Sequence, residues 1–315
     1  MIPNFSRMLF ETLEEYDNYT LAMNAAKKMR KNVETVGSEL LVALLCAGAR
    51  FDAPECPPNL LGCAPEQFGK YRADMMSRPA TDNEHSAANF MTARPPEWIG
   101  TQVYLTGKSF ADTPEIKALN AGLDRKVVKA DVYLKLADAS FVGISVKQSE
   151  AATKSNYSVE KMFSEEDAAE CLKVRREMLA AIGVTTYYDE SKRDEVNALF
   201  YDRENPYWTL LRTHIETYKS SITKTLADCL YGAGVPYPLY EFDGTLLVRL
   251  SAVDLAQVTF EEHMPFYMCD KDGVTPRKCA KMFYRLTTPR GSYRVEVRWK
   301  GDCYGASPQF QIHSA

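Results

Sequence analysis

The feature that most restricts the fold is a pair of segments in which apolar and polar residues alternate, separated by a four-residue turn. Apolar and polar side chains alternate along residues 128–136, an Ala-Asp-Ala-Ser run follows at 137–140, and the alternation resumes at 141–147. A period of two residues is the spacing of a half-buried strand. Because side chains on a strand point to opposite faces in turn, Ser145 and Lys147 share one face. The pattern predicts a β-hairpin.

The rest of the chain mixes helical and extended patterns. Proline-rich residues 52–100 are predicted to be loop-like. Helices are predicted at 6–32, 33–51, 156–182 (with Ser158 or Ser164 as N-cap) and 207–230, and strands at 246–250, 282–288 and 292–299. The sum predicts an α/β or α+β fold with a mixed central sheet flanked by helices and a β-rich C-terminal portion. We place the boundary between a core at 1–235 and the β-rich portion at 236–315, packed together as one compact unit.

Composition narrows the protein class. Charged residues make up 25% and hydrophobic residues 45%, which is ordinary for a globular protein. The N-terminus does not resemble a signal peptide, and the longest apolar run, residues 40–49, is about half a membrane span. The eight cysteines include no CxxC pair, so reduced, buried thiols are expected rather than structural zinc. We therefore expect a cytoplasmic protein that is neither secreted nor bound to a membrane.

The charge is distributed unevenly. The net charge is −4, yet the residues from Lys271 to the end contain nine Lys/Arg and three Asp/Glu, a balance of +6. An acidic protein can still present one basic surface to a polyanion such as DNA. We expect that surface in the C-terminal part.

Asp131 and Lys147 lie on the two arms of the predicted hairpin. If they share a face, a carboxylate and an ammonium converge at one place, as hydrolysis of a phosphodiester requires. A carboxylate can hold Mg²⁺, which stabilises charge on the phosphate and activates water, and a lysine adds positive charge beside the reacting phosphate. A simple cross-strand ion pair is the alternative interpretation.

These residues resemble the PD-(D/E)xK nuclease motif. Asp131 is followed after thirteen residues by Ser145-Val146-Lys147, and Ala130 stands where the motif has proline. The run from Phe141 to Gln148-Ser, the Lys154-Ser-Asn-Tyr run and the C-terminal Arg298-Trp-Lys-Gly are similar to type II restriction endonucleases of large algal DNA viruses.

The resemblance implies a restriction-endonuclease-like fold and a Mg²⁺-dependent enzyme that cuts duplex DNA at a short, palindromic site as a homodimer. It also implies a location in a host cytoplasm or virion. Gln148 and Lys154 are then expected to contact DNA, and Val146 to contribute to the metal site.

One acidic position of the motif is missing, because Ser145 replaces the expected glutamate. Glu160 is a candidate substitute by its spacing after Lys147, and Glu150 is a second one. Glu39 is the other candidate, since it begins the apolar run Glu-Leu-Leu-Val-Ala-Leu-Leu. A solvated charge in the first turn of a helix is the ordinary interpretation of Glu39.

The second predicted hairpin is the candidate DNA-binding element. Arg294 and Arg298 share one face, and Arg290 and Lys300 lie close by in sequence. Arginines can contact phosphates or guanine edges in the major groove, into which a two-stranded ribbon fits. A charged edge hairpin in solvent is the alternative. The four histidines are isolated in sequence, so none is expected to bind a metal.

Two further functions remain open on the sequence alone. Ser145 favours a DNA-binding viral protein that keeps the nuclease fold without activity. A structure-specific repair nuclease on the same fold is the third possibility.

Overall fold

The computed structural model describes residues 37–106, 112–124, 127–147, 155–185, 190–202, 204–263, 268–269, 276–277, 280–299 and 303–314. The helix predicted at 6–32 lies outside these ranges. The helices are α1 (residues 37–46), α2 (Pro65–Met76), α3 (Ala80–Ala93), α4 (Pro114–Leu119), α5 (Glu165–Ala181), α6 (Arg193–Tyr201), α7 (Pro206–Thr217) and α8 (Lys219–Tyr231).

The strands are β1 (Leu60–Leu61), β2 (Gln102–Leu105), β3 (Val132–Lys135), β4 (Phe141–Val146), β5 (Ser155–Ser158), β6 (Leu239–Phe242), β7 (Leu247–Leu250), β8 (Thr259–Glu262), β9 (Met268–Cys269), β10 (Pro276–Arg277), β11 (Met282–Thr288), β12 (Gly291–Arg298) and β13 (Gln309–Ser314). The predicted fold class is confirmed: a mixed sheet is flanked by helices, and the C-terminal part forms an antiparallel sheet.

The chain divides into two compact units. Unit 1 contains the described residues of Met1–Glu150 together with Tyr231–Ala252, and unit 2 contains those of Ala151–Leu230 and Val253–Ala315. This division differs from the expected boundary after residue 235. The two sheets take their strands from alternating segments of the chain: β6 and β7 complete the first sheet, whereas β5, which precedes them, joins the C-terminal one.

Unit 1 is built on a six-stranded sheet in the order β1-β2-β3-β4-β6-β7. β1 pairs with β2 and β4 pairs with β6 in parallel, and the other pairs are antiparallel. Helix α1 packs on one face in a cluster with apolar residues of β2, β3 and β4. Residues 40–46 of α1 are all at most 7% exposed. A helix that is apolar all round must be buried on all sides, and this explains its composition.

The first predicted hairpin is confirmed. β3 and β4 pair antiparallel with Val132 opposite Ile144, and Ala139 N–H donates to the carbonyl of Leu136 to close the turn. The side chain of Asp138 accepts a hydrogen bond from the Ser140 N–H at 3.0 Å, as turn aspartates commonly do. The turn therefore fixes the register that aligns the two arms.

Unit 2 combines α5–α8 with a five-stranded antiparallel sheet in the order β5-β13-β12-β11-β8. The predicted hairpin of residues 282–288 and 292–299 is confirmed as β11 and β12. It lies in the middle of the sheet, between β8 and β13, so it is not the free two-stranded ribbon that the sequence suggested. An edge hairpin is also excluded for the same reason.

Three predictions of local structure are wrong: the loop at 52–100, the single helix at 207–230 and the start of the helix at 156, where β5 is found instead. Residues 52–100 contain α2 and α3, because Pro65 occupies the first turn of α2 and Pro79 precedes α3, positions that tolerate proline well. The helix predicted at 207–230 is divided at Tyr218 into α7 and α8. Ser164 does cap α5 by accepting the Asp167 N–H at 3.1 Å, whereas Ser158 ends β5.

The cysteine prediction agrees with the described part of the chain. Six cysteines there form no disulfide: the side chains of Cys46, Cys171, Cys229 and Cys303 are buried, and those of Cys56 and Cys63 are partly buried. Among the helices described, none combines the length and the apolar character needed to cross a bilayer.

Gly143 in the centre of β4 offers a test of this packing. A Cβ atom there would lie 2.8 Å from the Ala130 Cβ and 2.8 Å from the Tyr237 ring, which is too close for either neighbour. We expect Gly143→Ala to lower the free energy of unfolding by about 1–3 kcal/mol, measured by urea denaturation. Gly69→Ala on α2, where no atom lies within 4 Å of the added Cβ, is the control and should be neutral or stabilising. Equal stability of the two variants would contradict the tight packing around β4.

Candidate functional site

The carboxylate of Asp131 is held across the end of the β3–β4 hairpin. Asp131 directly precedes β3, and its N–H donates to the Ile144 carbonyl at 2.9 Å, so it continues the strand ladder. Its Oδ2 accepts the Val146 N–H at 2.8 Å and the Ser145 hydroxyl at 3.4 Å. In the described structure, no hydrogen bond reaches Oδ1. One carboxylate oxygen is therefore fixed by β4, and the other remains available to a ligand.

Ser145 forms a hydrogen bond to Asp131 and does not itself supply the missing acid. Its side chain is fully buried, and the hydroxyl donates to the Asp131 carboxylate. Burial raises the pKa of Asp131, and the hydrogen bond from this neutral donor opposes that rise without bringing a second negative charge. The second acid must come from another element.

Glu39, in the first described turn of α1, is a second acid that interacts with Asp131. It is 8% exposed although it carries a carboxyl group. Burial raises its pKa well above the ordinary range, the charge of Asp131 raises it further, and the charge of Lys147 lowers it. Within the ranges that the structure describes, no group donates a hydrogen bond to this carboxylate. Glu39 is thus a buried acid within the electrostatic reach of Asp131, and the interpretation as a solvated helix charge is wrong.

Lys147 supplies the positive charge of the cluster. It follows β4 directly, and its N–H donates to the Phe242 carbonyl at 2.7 Å, which anchors the main chain beside β6. Burial raises the pKa of Asp131, and the Lys147 charge is the largest influence that opposes this rise. Two carboxyl groups and one ammonium therefore interact at the end of the hairpin.

Glu160 has a different role from the one considered for it. Its Oε2 accepts from the Arg175 guanidinium at 3.1 Å, and its Oε1 accepts from the Tyr207 hydroxyl at 2.8 Å. The Arg175 side chain is 1% exposed and that of Glu160 is 9% exposed. Because both carboxylate oxygens already have buried donors in unit 2, Glu160 is a structural ion-pair partner and not an available metal ligand. Glu150 lies outside the described residues.

The predicted DNA-binding arginines surround a buried acid. Arg294 and Arg298 lie 3.3 Å and 3.4 Å from carboxylate oxygens of Glu296, and Lys281 lies 2.9 Å from one of them. The two arginine side chains remain 40% and 37% exposed, whereas that of Glu296 is 5% exposed. Three cations face one carboxylate, so the net charge of this group is positive.

The remaining predicted DNA contacts are only partly described. Arg290 is exposed in the turn between β11 and β12, and its N–H donates to the Thr288 hydroxyl at 3.2 Å. Gln148, Lys154 and Lys300 lie outside the described residues.

One further cluster was missed in the sequence. Asp167, Glu170 and His214 each offer a ligand atom within 4.8 Å of the others, so this group could hold a metal ion. The Asp-x-x-Glu spacing in the first turns of α5 was visible, since residues three apart share a helix face. His214 was judged isolated because its partners lie more than forty residues away in the chain and meet it only through helix packing.

Comparisons of this chain with protein-family models, with curated proteins and with solved structures find no significant match. We therefore infer function from the geometry and chemistry of the residues themselves.

The raised pKa of Glu39 predicts a pH-dependent effect on stability. A carboxyl group whose pKa is higher in the folded state stabilises the fold at low pH, and this stabilisation is lost as the pH rises through the folded-state pKa. Without metal, we expect Glu39→Gln to raise the free energy of unfolding at neutral pH by about 1 kcal/mol or more. The gain should disappear near pH 4, about the ordinary pKa of glutamate.

Urea denaturation of both proteins in EDTA across this pH range measures the effect. Glu84→Gln, at an exposed position of α3, is the matched control and should leave the pH dependence unchanged. A Glu39→Gln variant that is less stable than the parent at neutral pH would contradict the buried, repelled carboxyl group.

Proposed function

We propose that this chain is a Mg²⁺-dependent endonuclease that hydrolyses phosphodiester bonds of duplex DNA at a short, palindromic site. The observation that carries the proposal is that the charges of Glu39, Asp131 and Lys147 influence one another at the end of the β3–β4 hairpin, where β4 holds one oxygen of the Asp131 carboxylate. Two acids and a lysine in this arrangement fit the PD-(D/E)xK motif that the sequence resembles, with Glu39 in place of the acid lost at Ser145.

The residues present suit a Mg²⁺ ion. Asp131 has one carboxylate oxygen without a hydrogen bond among the described residues, and Glu39 is buried without a described donor. Burial and the charge of Asp131 favour the protonated form of Glu39 without metal, and a bound Mg²⁺ would supply the charge needed to keep both carboxylates ionised. Mg²⁺ binds hard oxygen ligands and usually keeps several waters, so two carboxylates with the Val146 carbonyl leave room for water and a phosphate oxygen.

The chain's own groups prepare the site for hydrolysis. The Val146 N–H and the Ser145 hydroxyl fix the Asp131 carboxylate before substrate arrives, so little reorganisation is needed during the reaction. Lys147 can donate to the attacking water or to a phosphate oxygen, where negative charge increases in the transition state. A bound Mg²⁺ would neutralise phosphate charge and lower the pKa of a water ligand.

DNA binding is assigned to the positively charged group around Glu296 and to the exposed turn at Arg290. Arg294 and Arg298 can reach phosphate oxygens from their ion pairs with Glu296, because each guanidinium has several donors. A homodimer would present this surface twice with two-fold symmetry, which suits a palindromic site.

A DNA-binding protein without nuclease activity is the second candidate function, and the neutral, buried Ser145 favours it. Incubation of the purified protein with plasmid and Mg²⁺, with EDTA controls, separates the candidates. Discrete fragments indicate a site-specific enzyme, nicking or a smear indicates a structure-specific nuclease, and a gel shift without cutting indicates a binding protein.

Two substitutions test the proposed active site. Asp131→Asn and Lys147→Ala should each lower the cleavage rate by orders of magnitude, because each removes charge that stabilises the transition state. DNA binding should persist in a gel-shift assay with Ca²⁺ or EDTA. Asp138→Asn and Lys135→Ala, at the turn end of the same hairpin, are matched controls and should cut at the parental rate. Parental cleavage by Asp131→Asn would refute the assignment.

Arg294→Ala and Arg298→Ala test the proposed DNA surface. Loss of an arginine that contacts a base should cost about 1–3 kcal/mol of binding free energy and reduce sequence specificity at one position of the site. Loss of an arginine that contacts only phosphate should weaken binding to all sequences. It should also reduce the slope of log affinity against log salt concentration by about one. Fluorescence anisotropy at several salt concentrations measures both, with Arg193→Ala on α6 as control. Unchanged affinity and salt dependence in both variants would remove this surface from the interface.

A further inference from the structure

Helices α5 and α7 of unit 2 pack against each other, and polar groups link them at two points. At one point, the Arg175–Glu160–Tyr207 group satisfies both oxygens of the buried carboxylate. At the other, Asp167 and Glu170 near the start of α5 face His214 in the last turn of α7. The second link differs from the first because it combines two carboxylates with an imidazole.

The imidazole of His214 is aimed into this cluster with one nitrogen unsatisfied. The side chain is 9% exposed, and the Nε2 atom is buried without a hydrogen bond. Nε2 lies 3.4 Å from the Glu170 Oε2, and Nδ1 lies 3.8 Å from the Asp167 Oδ2. The Phe163 ring packs against the imidazole with 5.4 Å between the ring centres. The ring is therefore held in place although its buried Nε2 faces the Glu170 carboxylate without a hydrogen bond, an arrangement that normally costs stability.

A neighbouring tyrosine orients one of the two carboxylates. The Tyr218 hydroxyl donates to the Asp167 Oδ2 at 2.6 Å, and the same hydroxyl accepts the Ser164 N–H at 3.2 Å. Hydrogen bonds of this kind, from outside the ligand set, are what hold metal-binding carboxylates in position. The Glu170 side chain is 54% exposed, so an ion and its water ligands can reach the cluster from solvent.

We propose that Asp167, Glu170 and His214 form a binding site for a transition-metal ion of the Zn²⁺ class, which links α5 to α7. Imidazole nitrogen is a ligand for zinc and its neighbours rather than for Mg²⁺ or Ca²⁺. Two ligands at about 2.0–2.1 Å from a tetrahedral Zn²⁺ are about 3.4 Å apart, whereas neighbouring ligands of an octahedral ion are about 3.0 Å apart. The separation of 3.4 Å between Nε2 and Oε2 is close to the tetrahedral value, and all three ligand atoms lie within 4.8 Å of one another, so small side-chain shifts would bring them to one ion. The site does not depend on the proposed nuclease function, since it uses none of the same residues.

Metal binding by the full chain tests this site. The protein is purified in EDTA under reducing conditions and carries Asp131→Asn, so that the proposed Mg²⁺ site does not contribute. Titration calorimetry with Zn²⁺ should give one ion per chain, and Zn²⁺ should raise the melting temperature where Mg²⁺ at the same concentration does not. The Co²⁺ form should show the visible absorption of a tetrahedral ion, without the near-ultraviolet band that a cysteine thiolate produces.

Single substitutions decide whether the ion occupies this cluster. Glu170→Gln and His214→Gln should each weaken Zn²⁺ binding at least about 100-fold, since loss of a supporting hydrogen bond alone costs 10–100-fold. Glu166→Gln, at an exposed position four residues before Glu170, should bind like the parent. Because Glu170 is exposed, its variant remains a valid test even if His214→Gln does not fold.

Two outcomes would overturn the proposal. The first is Zn²⁺ binding that Glu170→Gln leaves unchanged, or a Co²⁺ spectrum with a thiolate band, which would place the ion elsewhere. The second is the absence of stoichiometric binding together with a loss of stability in Glu170→Gln, which would make the cluster a histidine–carboxylate ion pair only.

Discussion

The contact between helix α1 and the β3–β4 hairpin is the interaction on which unit 1 depends. Residues 40–46 fill the space against β2, β3 and β4, and fully burying one such leucine contributes about 1.5–3 kcal/mol. This apolar packing leaves α1 little freedom to rotate, since side chains in a close-packed core fit their neighbours and any rotation would create clashes and cavities. Glu39 is consequently kept close enough to Asp131 for the two charges to repel each other. The hydrophobic core thus maintains an arrangement that electrostatics alone would oppose.

The other buried acids show how this chain normally accommodates a carboxylate. Glu160 has an arginine and a tyrosine, and Glu296 has one lysine and two arginines. Both carboxylates are thus compensated by donors within unit 2, as buried charges generally are. The pair Glu39 and Asp131 differs, because the described groups that oppose the rise in pKa of Glu39 amount to Lys147. An incompletely compensated pair of acids at a strand end is the arrangement expected where a cation and a phosphate are to be bound.

The two proposed metal sites differ in the chemistry of their ligands. The site on the hairpin offers carboxylate and carbonyl oxygen, which suit a hard ion that exchanges water during a reaction. The cluster between α5 and α7 adds a buried imidazole and is supported by the hydroxyl of Tyr218. The first belongs to unit 1 and the second to unit 2, and each is built from the packing of its own unit.

Local patterns in the sequence determined much of the fold. The alternation on both sides of residues 137–140 specified the first hairpin, and the turn at Pro289–Arg290 specified the second, because the period of side chains along a strand is local. The alternation placed Ser145 and Lys147 on one face, and the register of the hairpin in the structure then brought Asp131 beside Ser145. Prolines misled the prediction at 52–100, because proline favours the first turn of a helix as well as a loop and its role depends on the residues after it.

The tertiary structure alone decided which distant residues meet. Glu160 was a candidate by its spacing after Lys147, and Glu39 by its place at the start of an apolar helix. Only packing showed that Arg175 and Tyr207 occupy the first while the second interacts with Asp131. His214 was likewise uninformative until α7 packed beside α5. Alternation along a strand and spacing along a helix are short-range properties that a sequence displays directly. The protonation, ion pairing and metal affinity of a buried side chain depend on neighbours from other segments, and those neighbours are set by the packing of the whole unit.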